Sequence, residues 1–311
     1  MPFRAWPTAV GLAGGIGLDA LLADPRRGHP VSAFGALASR AERRMHRDSR
    51  LAGAVYAASL VGGAAVAGSL CSVLVRRPGS LAAVTALATW SVVGGTTLRR
   101  EASAMAALLA EGELDGARER LSHLCGRDPA ALEVPGLARA TVESVAENTS
   151  DAVVGPLFWG AVAGVPGLLA YRAVNTLDAM VGHKSPHYLR FGWAAARLDD
   201  AANLLPSRLT AGLTVVLAPL VGGRPTAALR AWRRDGHKHP SPNAGPVEAA
   251  FAGALGRTLG GRLIYAGRVE DRPLLGNGPA PAVADIARAA RLSAAVSLAA
   301  GALAVGFRAS R

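Results

Sequence analysis

Residues 51–75 read LAGAVYAASLVGGAAVAGSLCSVLV, and residues 79–98 read GSLAAVTALATWSVVGGTTL. Neither run contains a charged residue, and only Arg76, Arg77 and Pro78 part them. About 20 consecutive apolar residues cross a bilayer core as a helix. A soluble amphipathic helix of this length needs a polar stripe, and neither run has one. The pair therefore predicts two membrane helices in a tight hairpin, with Gly62, Gly63 and Gly68 offering close helix contacts.

Working outward, the same criterion marks weaker segments near 5–22, 152–170, 209–223 and 292–307. Pro156 and Pro166 interrupt the first internal one and Pro219 the next, which predicts broken or re-entrant helices. The apolar run ending at Leu22 resembles a secretory leader, but it lacks a small-x-small cleavage site and carries Asp19, so an uncleaved membrane helix is expected. The fold class expected is all-α: a single polytopic helical membrane domain with four to five spans and cytoplasmic helical or loop insertions.

Composition agrees. Of 311 residues, 50% are hydrophobic and 18% charged, and the mean hydropathy of +0.26 is too apolar for an ordinary soluble chain. The net charge of +12 reads first as a positive-inside signal and an attraction to membrane lipid, with no nucleic-acid partner expected. Arginines 26, 27, 40, 43, 44, 47 and 50, and the basic stretch 224–291, should be cytoplasmic. The Arg76-Arg77 turn then falls outside, a small violation of the rule. Cys71 and Cys125 supply neither a disulfide framework nor a metal cage. Gly112, Gly116 and Gly126–Pro129 break the mixed-charge helices after Arg99. No alternating β pattern is seen, and 272–281 reads as an ordered loop or linker.

Polar residues gather in three places. Glu143, Glu147 and Asp151, with Asn148, share one face if ESVAENTSDAVVGPLF (143–158) is helical. Unrelieved, such carboxylates repel one another. Magnesium or a substrate ammonium would relieve them, and a solvated acidic face is the plain alternative. Next, Asn175 and Asp178 lie three residues apart, as do Arg197, Asp200 and Asn203, flanked by Arg172, Asp199 and Arg208. An internal salt-bridge network explains this group as readily as a site does. Third, DGHKHPSPNAGPVE (235–248) is held rigid by its prolines, and Lys238 with free amides at a helix start could hold phosphate. His237 and His239 alone are weak metal ligands.

Five segments, in order along the chain, resemble the CobD/CbiB family of adenosylcobinamide-phosphate synthases. They are Asp24-Pro25 with His29-Pro30-Val31, the 143–158 run, YRAVNTLDAM (171–180), FGWAAARLDDAANLLPSRLT (191–210) and HPSPNAGPVEAAFAGALG (239–256). The resemblance implies a membrane enzyme of cobalamin biosynthesis. Its reaction would join (R)-1-amino-2-propanol, or its phosphate, to a propionate carboxylate of adenosylcobyric acid through an amide bond. It also implies ATP and Mg2+ through an acyl-phosphate route, a place in the cytoplasmic membrane, and other late pathway enzymes as neighbours. No phosphate-binding glycine loop of the common kind is present.

On that reading Glu147 and Asp151, with Glu143, bind magnesium or the incoming amine. Asp178, Asp199 and Asp200 join them as catalytic candidates, while Asn175 and Asn203 orient. Arg172, Arg197 and Arg208 neutralise phosphate or a developing oxyanion. Asp24, His29, Asn148, Lys184, His239, Ser241, Asn243 and Glu248 are expected to contact substrate, although His183 to Pro186 departs locally from the family pattern. Glu147, Asp200 and Asn243 are expected in one pocket at the lipid boundary. A regulatory membrane protein of the AmpE-like kind and a transporter remain alternatives.

Overall fold

A computed structural model describes residues 5–25, 28–125, 129–130, 132–265 and 268–311. Arg26, Arg27 and Gly126 lie outside the described residues. The expected all-helical membrane architecture is what the chain adopts. Five helical runs are long and apolar enough to cross a membrane: Ala5–Leu22, Arg50–Leu74, Pro78–Glu111, Leu204–Val221 and Val283–Ala309.

The chain divides into two compact units. The first comprises Met1–Gly94, Asp151–Leu204 and Gly301–Arg311, and the second Gly95–Ser150 and Leu205–Ala300. In the first unit lie α1 (Ala5–Leu22), α2 (Pro30–Met45), α3 (Arg50–Leu74), α4 (Pro78–Val92), a π-helical turn (Ser150–Val154) leading into α8 (Gly155–Ala163), α9 (Val165–Val181) and α10 (Trp193–Ala202). The second unit holds α5 (Gly95–Glu111), α6 (Leu114–Leu121), α7 (Val134–Thr149), α11 (Leu204–Leu217), α12 (Pro225–Asp235), α13 (Ala244–Leu255) and a β-hairpin. The last helix, α14 (Val283–Ala309), begins in the second unit and ends in the first.

Helix α3 shows why lipid is needed. Over 25 residues it buries only Gly53, Tyr56, Ala57 and Gly68, and it exposes Leu51, Val55, Val66, Leu70, Val73 and Leu74. An apolar face of that length would be an aggregation surface in water. The expected partnership of the two apolar runs is not what forms. Helix α4 packs mainly on α1, where Gly11 and Gly15 leave no room for a Cβ against Thr85 and Thr89. Helix α3 packs instead along α9, with Gly68 against the backbone of Pro166. Gly62 and Gly63, expected at a helix contact, face nothing within 4 Å.

The segment expected near 152–170 is not one span. The π turn, the short α8 and a break at Gly164, whose φ is +67°, divide it. Val165 and Pro166 then start α9 as helix-opening residues. Leu12, Val92, Leu157, Leu168 and Ala304 form one core of this unit, while Tyr56, Leu177, Val181 and Phe191 form another.

In the second unit every residue of α13 is buried. Arg288 of α14 donates to Val221 O at 2.8 Å and Leu255 O at 3.0 Å, closing two helix ends, while Asp285 binds both Arg288 and Arg257. β1 (Thr258–Tyr265) pairs antiparallel with β2 (Arg268–Gly276), whose last residues, from Arg272, fall where a loop was expected. A register shift between Leu259 and Gly261 disturbs the side-chain alternation that would have announced the strands.

Candidate active site

In the first unit, polar residues from four separate segments meet among apolar helices. Chain geometry brings Asp24 there. Ala23, with φ +56°, ends α1, and its carbonyl accepts from Trp90 Nε1 at 2.9 Å. His29 then caps α2: its Nδ1 accepts from Val31 N at 3.1 Å. In the neutral ring the proton therefore sits on Nε2, which faces Asp24 Oδ1 at 3.5 Å. His29 thus acts as a positioning residue for Asp24.

Deeper in the unit, Tyr171 Oη lies 2.7 Å from Asn203 Oδ1 and 3.1 Å from the carbonyl of Asp151, linking α9, α10 and the π turn. Gly155 permits this, because any Cβ there would overlap the tyrosine hydroxyl. Burial pushes the Tyr171 hydroxyl well up, reinforced by Asp151 and Asp199. It is therefore a neutral donor. Burial also lowers Arg172, whose charge is supported by Asp24 and Asp151. Arg172 Nη1 lies 3.5 Å from Asn175 Oδ1, and its Nε is buried with no hydrogen-bond partner among the described residues.

Asp199 is the most perturbed carboxyl of the group. Burial and the neighbouring Asp178 raise it to about 7, against the nearby amides of Asn203 and Asn175, which favour the charged form. Its Oδ1 is buried without a hydrogen-bond partner among the described residues. Gly182 accommodates Asp178, since a Cβ there would overlap the aspartate Oδ1. Asp200 is paired with Arg197 at 2.9 Å, which neutralises it. Lys184 is exposed on the loop after α9.

The second unit holds the other candidates. Asn243 Oδ1 accepts from Arg208 Nη1 at 2.8 Å and from Ser207 Oγ at 3.2 Å. Ser241 Oγ accepts from Asn243 N and Ala244 N, opening α13. Buried His239 sits between Ser241 N at 3.0 Å, Arg272 Nη1 at 3.1 Å and Glu248 Oε1 at 3.9 Å. Below this loop Asp235 is only 1% exposed and takes Arg234, Lys238 and Gly276 N, which hold its carboxyl well below the usual range. Lys238, read from the sequence as a phosphate ligand, is thus already committed.

The acidic face of α7 does not form as expected. Glu143 is buried and its Oε1 accepts from Gly260 N at 2.6 Å, bracing the hairpin bulge. Asn148 donates to Ser144 O at 2.9 Å. Glu147 alone is exposed, and the π turn ends the regular four-residue spacing before Asp151. Among the described residues no group of three or more His, Cys, Asp or Glu side chains is arranged to hold a metal ion.

A family model described as CobD/Cbib protein matches residues 12–293. The chain belongs to the CobD/CbiB family. It is 54% identical over 303 residues to the cobalamin biosynthesis protein CobD of Mycobacterium tuberculosis strain CDC 1551 / Oshkosh, covering 96% of each chain. Proteins of the same name from Chromobacterium violaceum and Rhodobacter capsulatus are 46% and 44% identical over 281 and 284 residues, covering 88% of each chain. No solved structure matches the chain.

Of the residues expected from the CobD/CbiB resemblance, Asp24, Asp151, Arg172, Asn175, Asp178, Asp199, Asp200 and Asn203 lie in the first unit. Glu143, Glu147, Asn148, Arg208, His239, Ser241, Asn243 and Glu248 lie in the second. Sequence reasoning passed over Tyr171 and Asp235. An aromatic hydroxyl next to Arg172, inside a CobD/CbiB motif, was the available signal for the first.

Proposed function

We propose that this CobD/CbiB protein forms the amide bond between a propionate carboxylate of adenosylcobyric acid and aminopropanol or its phosphate, as a multi-pass enzyme of the cytoplasmic membrane. The observation that carries the reading is Asp199: a half-buried carboxyl, its Oδ1 shielded from solvent, raised to about 7 beside Asp178, with Arg172 in the same unit. An ammonium must lose a proton before nitrogen can attack a carbonyl, and a base that titrates near working pH suits that transfer. Asp199 takes the proton, Asp178 holds Asp199 basic enough to do so, and Asn175 and Asn203 fix its orientation. As the C–N bond forms and the C–O bond of the activated carboxyl breaks, releasing phosphate, Arg172 balances the charge on the carbonyl oxygen. Asp24, held by His29, and Asp151 keep Arg172 charged despite its burial.

Magnesium with nucleotide needs one or two protein carboxylates, because phosphate and water complete its shell. Asp151 lies within the field of Arg172, which competes with a cation for it. When bound, ATP would supply the phosphoryl group that activates the substrate carboxylate. Arg208 and Asn243 are the groups of the second unit suited to a phosphate or corrin amide.

Purified protein supplied with adenosylcobyric acid, either amine donor, and ATP with magnesium should yield cobinamide or its phosphate by mass. Corrinoid binding without product would favour the regulatory alternative.

A further inference from the structure

A second polar feature lies at the other end of the first unit, away from Asp24. Gly68 of α3 meets the start of α9, and Thr8 of α1 meets Gly164, so the C-terminal end of α3 and the N-terminal ends of α1, α4 and α9 share one level. Between them, and against the last turn of α14, is a cavity of about 240 Å³. Thr8, Ser69, Ser72 and Arg308 give it a polar side, and Val73 and Leu81 are among its apolar walls. The hydroxyl protons of Ser69 and Ser72 are directed to the carbonyls of Ala65 and Gly68, which leaves Arg308 as the charged donor of the lining. Arg308 Nε is buried and has no hydrogen-bond partner among the described residues.

This end of the unit is uniformly basic. Arg76, Arg77, Arg308 and Arg311 occur here, and the stretches 5–15, 70–82, 160–170 and 298–311 contain no Asp or Glu. These are the arginines that the positive-inside rule does not explain, because Arg40, Arg43, Arg44, Arg47 and Arg50 sit at the opposite end of α3. A guanidinium whose Nε is shielded from solvent and unpaired among the described residues is suited to an anion, and guanidinium matches phosphate oxygens in geometry. At 240 Å³ the cavity is below the usual 300–1,000 Å³ of sites for drug-sized ligands, so a corrinoid does not fit. Two of its lining residues, Ser69 and Val73, are also exposed on the lipid-facing surface of α3.

We propose that this cavity binds the phosphate of an anionic membrane phospholipid, with Arg308 as its ligand and the apolar wall against the start of an acyl chain. Such a lipid would pin α3 and α14 together at the basic end of the unit.

The test uses the full-length protein, stripped of lipid in dodecyl maltoside. Dioleoylphosphatidylglycerol, dioleoylphosphatidylcholine or sodium phosphate is added, and thermal unfolding and the lipid retained in native mass spectra are read. The proposal expects phosphatidylglycerol to be retained and to raise Tm, phosphatidylcholine to do so less, and inorganic phosphate not at all. Arg308→Gln should weaken phosphatidylglycerol retention about tenfold, the loss expected for a charge-assisted hydrogen bond. Ser69→Phe, which leaves the arginine in place and fills the mouth, should weaken it similarly. Arg44→Gln, at the other end, should change nothing. Retention unchanged in both Arg308→Gln and Ser69→Phe would overturn the site. Equal effects of phosphatidylcholine and phosphatidylglycerol would overturn its anionic preference, and an equal effect of inorganic phosphate would make it a free-anion site instead.

Discussion

Tyr171 Oη lies 2.7 Å from Asn203 Oδ1, so the hydroxyl of one helix holds the carboxamide that lies beside Asp199 at the end of the next. A neutral donor thereby fixes a carboxamide that favours the charged form of the most perturbed carboxyl in the first unit. Tyr171→Phe keeps the ring and removes the bond. It should reduce kcat about tenfold with little change in KM, and lower stability by about 1–2 kcal/mol, since Asn203 Oδ1 is left with less satisfaction in a buried place. Steady-state kinetics and thermal unfolding of the same preparation check both.

The raised Asp199 predicts a pH profile with a definite sign. A carboxyl titrating near 7 is protonated, and unable to accept a proton, below that pH. The rate should therefore rise through about 7. Burial and Asp178 are the two causes of the raised value. In Asp178→Asn the like charge is gone, so Asp199 becomes more acidic and the rising limb should move to lower pH. A limb that stays in place would exclude Asp199 as the group observed.

Space for the tyrosine is equally specific. A Cβ on Gly155 would overlap Tyr171 Oη, so Gly155→Ala should displace the ring and cut activity at least as far as Tyr171→Phe. Overpacking a filled core commonly costs about 1–3 kcal/mol. If the double variant Gly155→Ala/Tyr171→Phe is no worse than either single one, both act through the same contact.

Two acidic residues should prove structural. Glu143→Ala removes the acceptor of Gly260 N, at a glycine with φ +86°, and should lower stability by about 1–3 kcal/mol and speed amide exchange in the hairpin. For Asp235 the depressed folded-state value means that its contribution is present above the unfolded carboxyl range and is lost as pH falls from there down through the folded-state value. Below the ordinary carboxylate range wild-type protein should lose stability with falling pH more steeply than Asp235→Asn does, measured by unfolding at a series of pH values.

Much of the fold was legible because lipid imposes a coarse rule: long uncharged runs must be helices. The 51–98 stretch announced two spans for that reason. Which helices pair was not legible, since pairing depends on small residues facing a partner, and Gly11 and Gly15 of α1 carried that information where Gly62 and Gly63 did not. The hairpin at 258–276 escaped notice because a glycine-rich bulge erases alternation. For the candidate site, carboxylates and amides could be selected by type and spacing. The division of labour among them could not: Glu143 shares helical spacing with Glu147, yet one braces a strand and the other is exposed. The π turn at 150–154 also breaks a spacing that assumed a regular helix.

The most direct measurement is the single-turnover rate of amide formation by Asp199→Asn in folded, detergent-purified protein, with adenosylcobyric acid and amine donor saturating. An isosteric amide keeps the packing and cannot take the proton, so the rate should fall by about 100-fold or more, the usual contribution of a general base, with corrinoid affinity within a few fold of wild type. Amidation at the wild-type rate would contradict the assignment of this cluster as the catalytic centre.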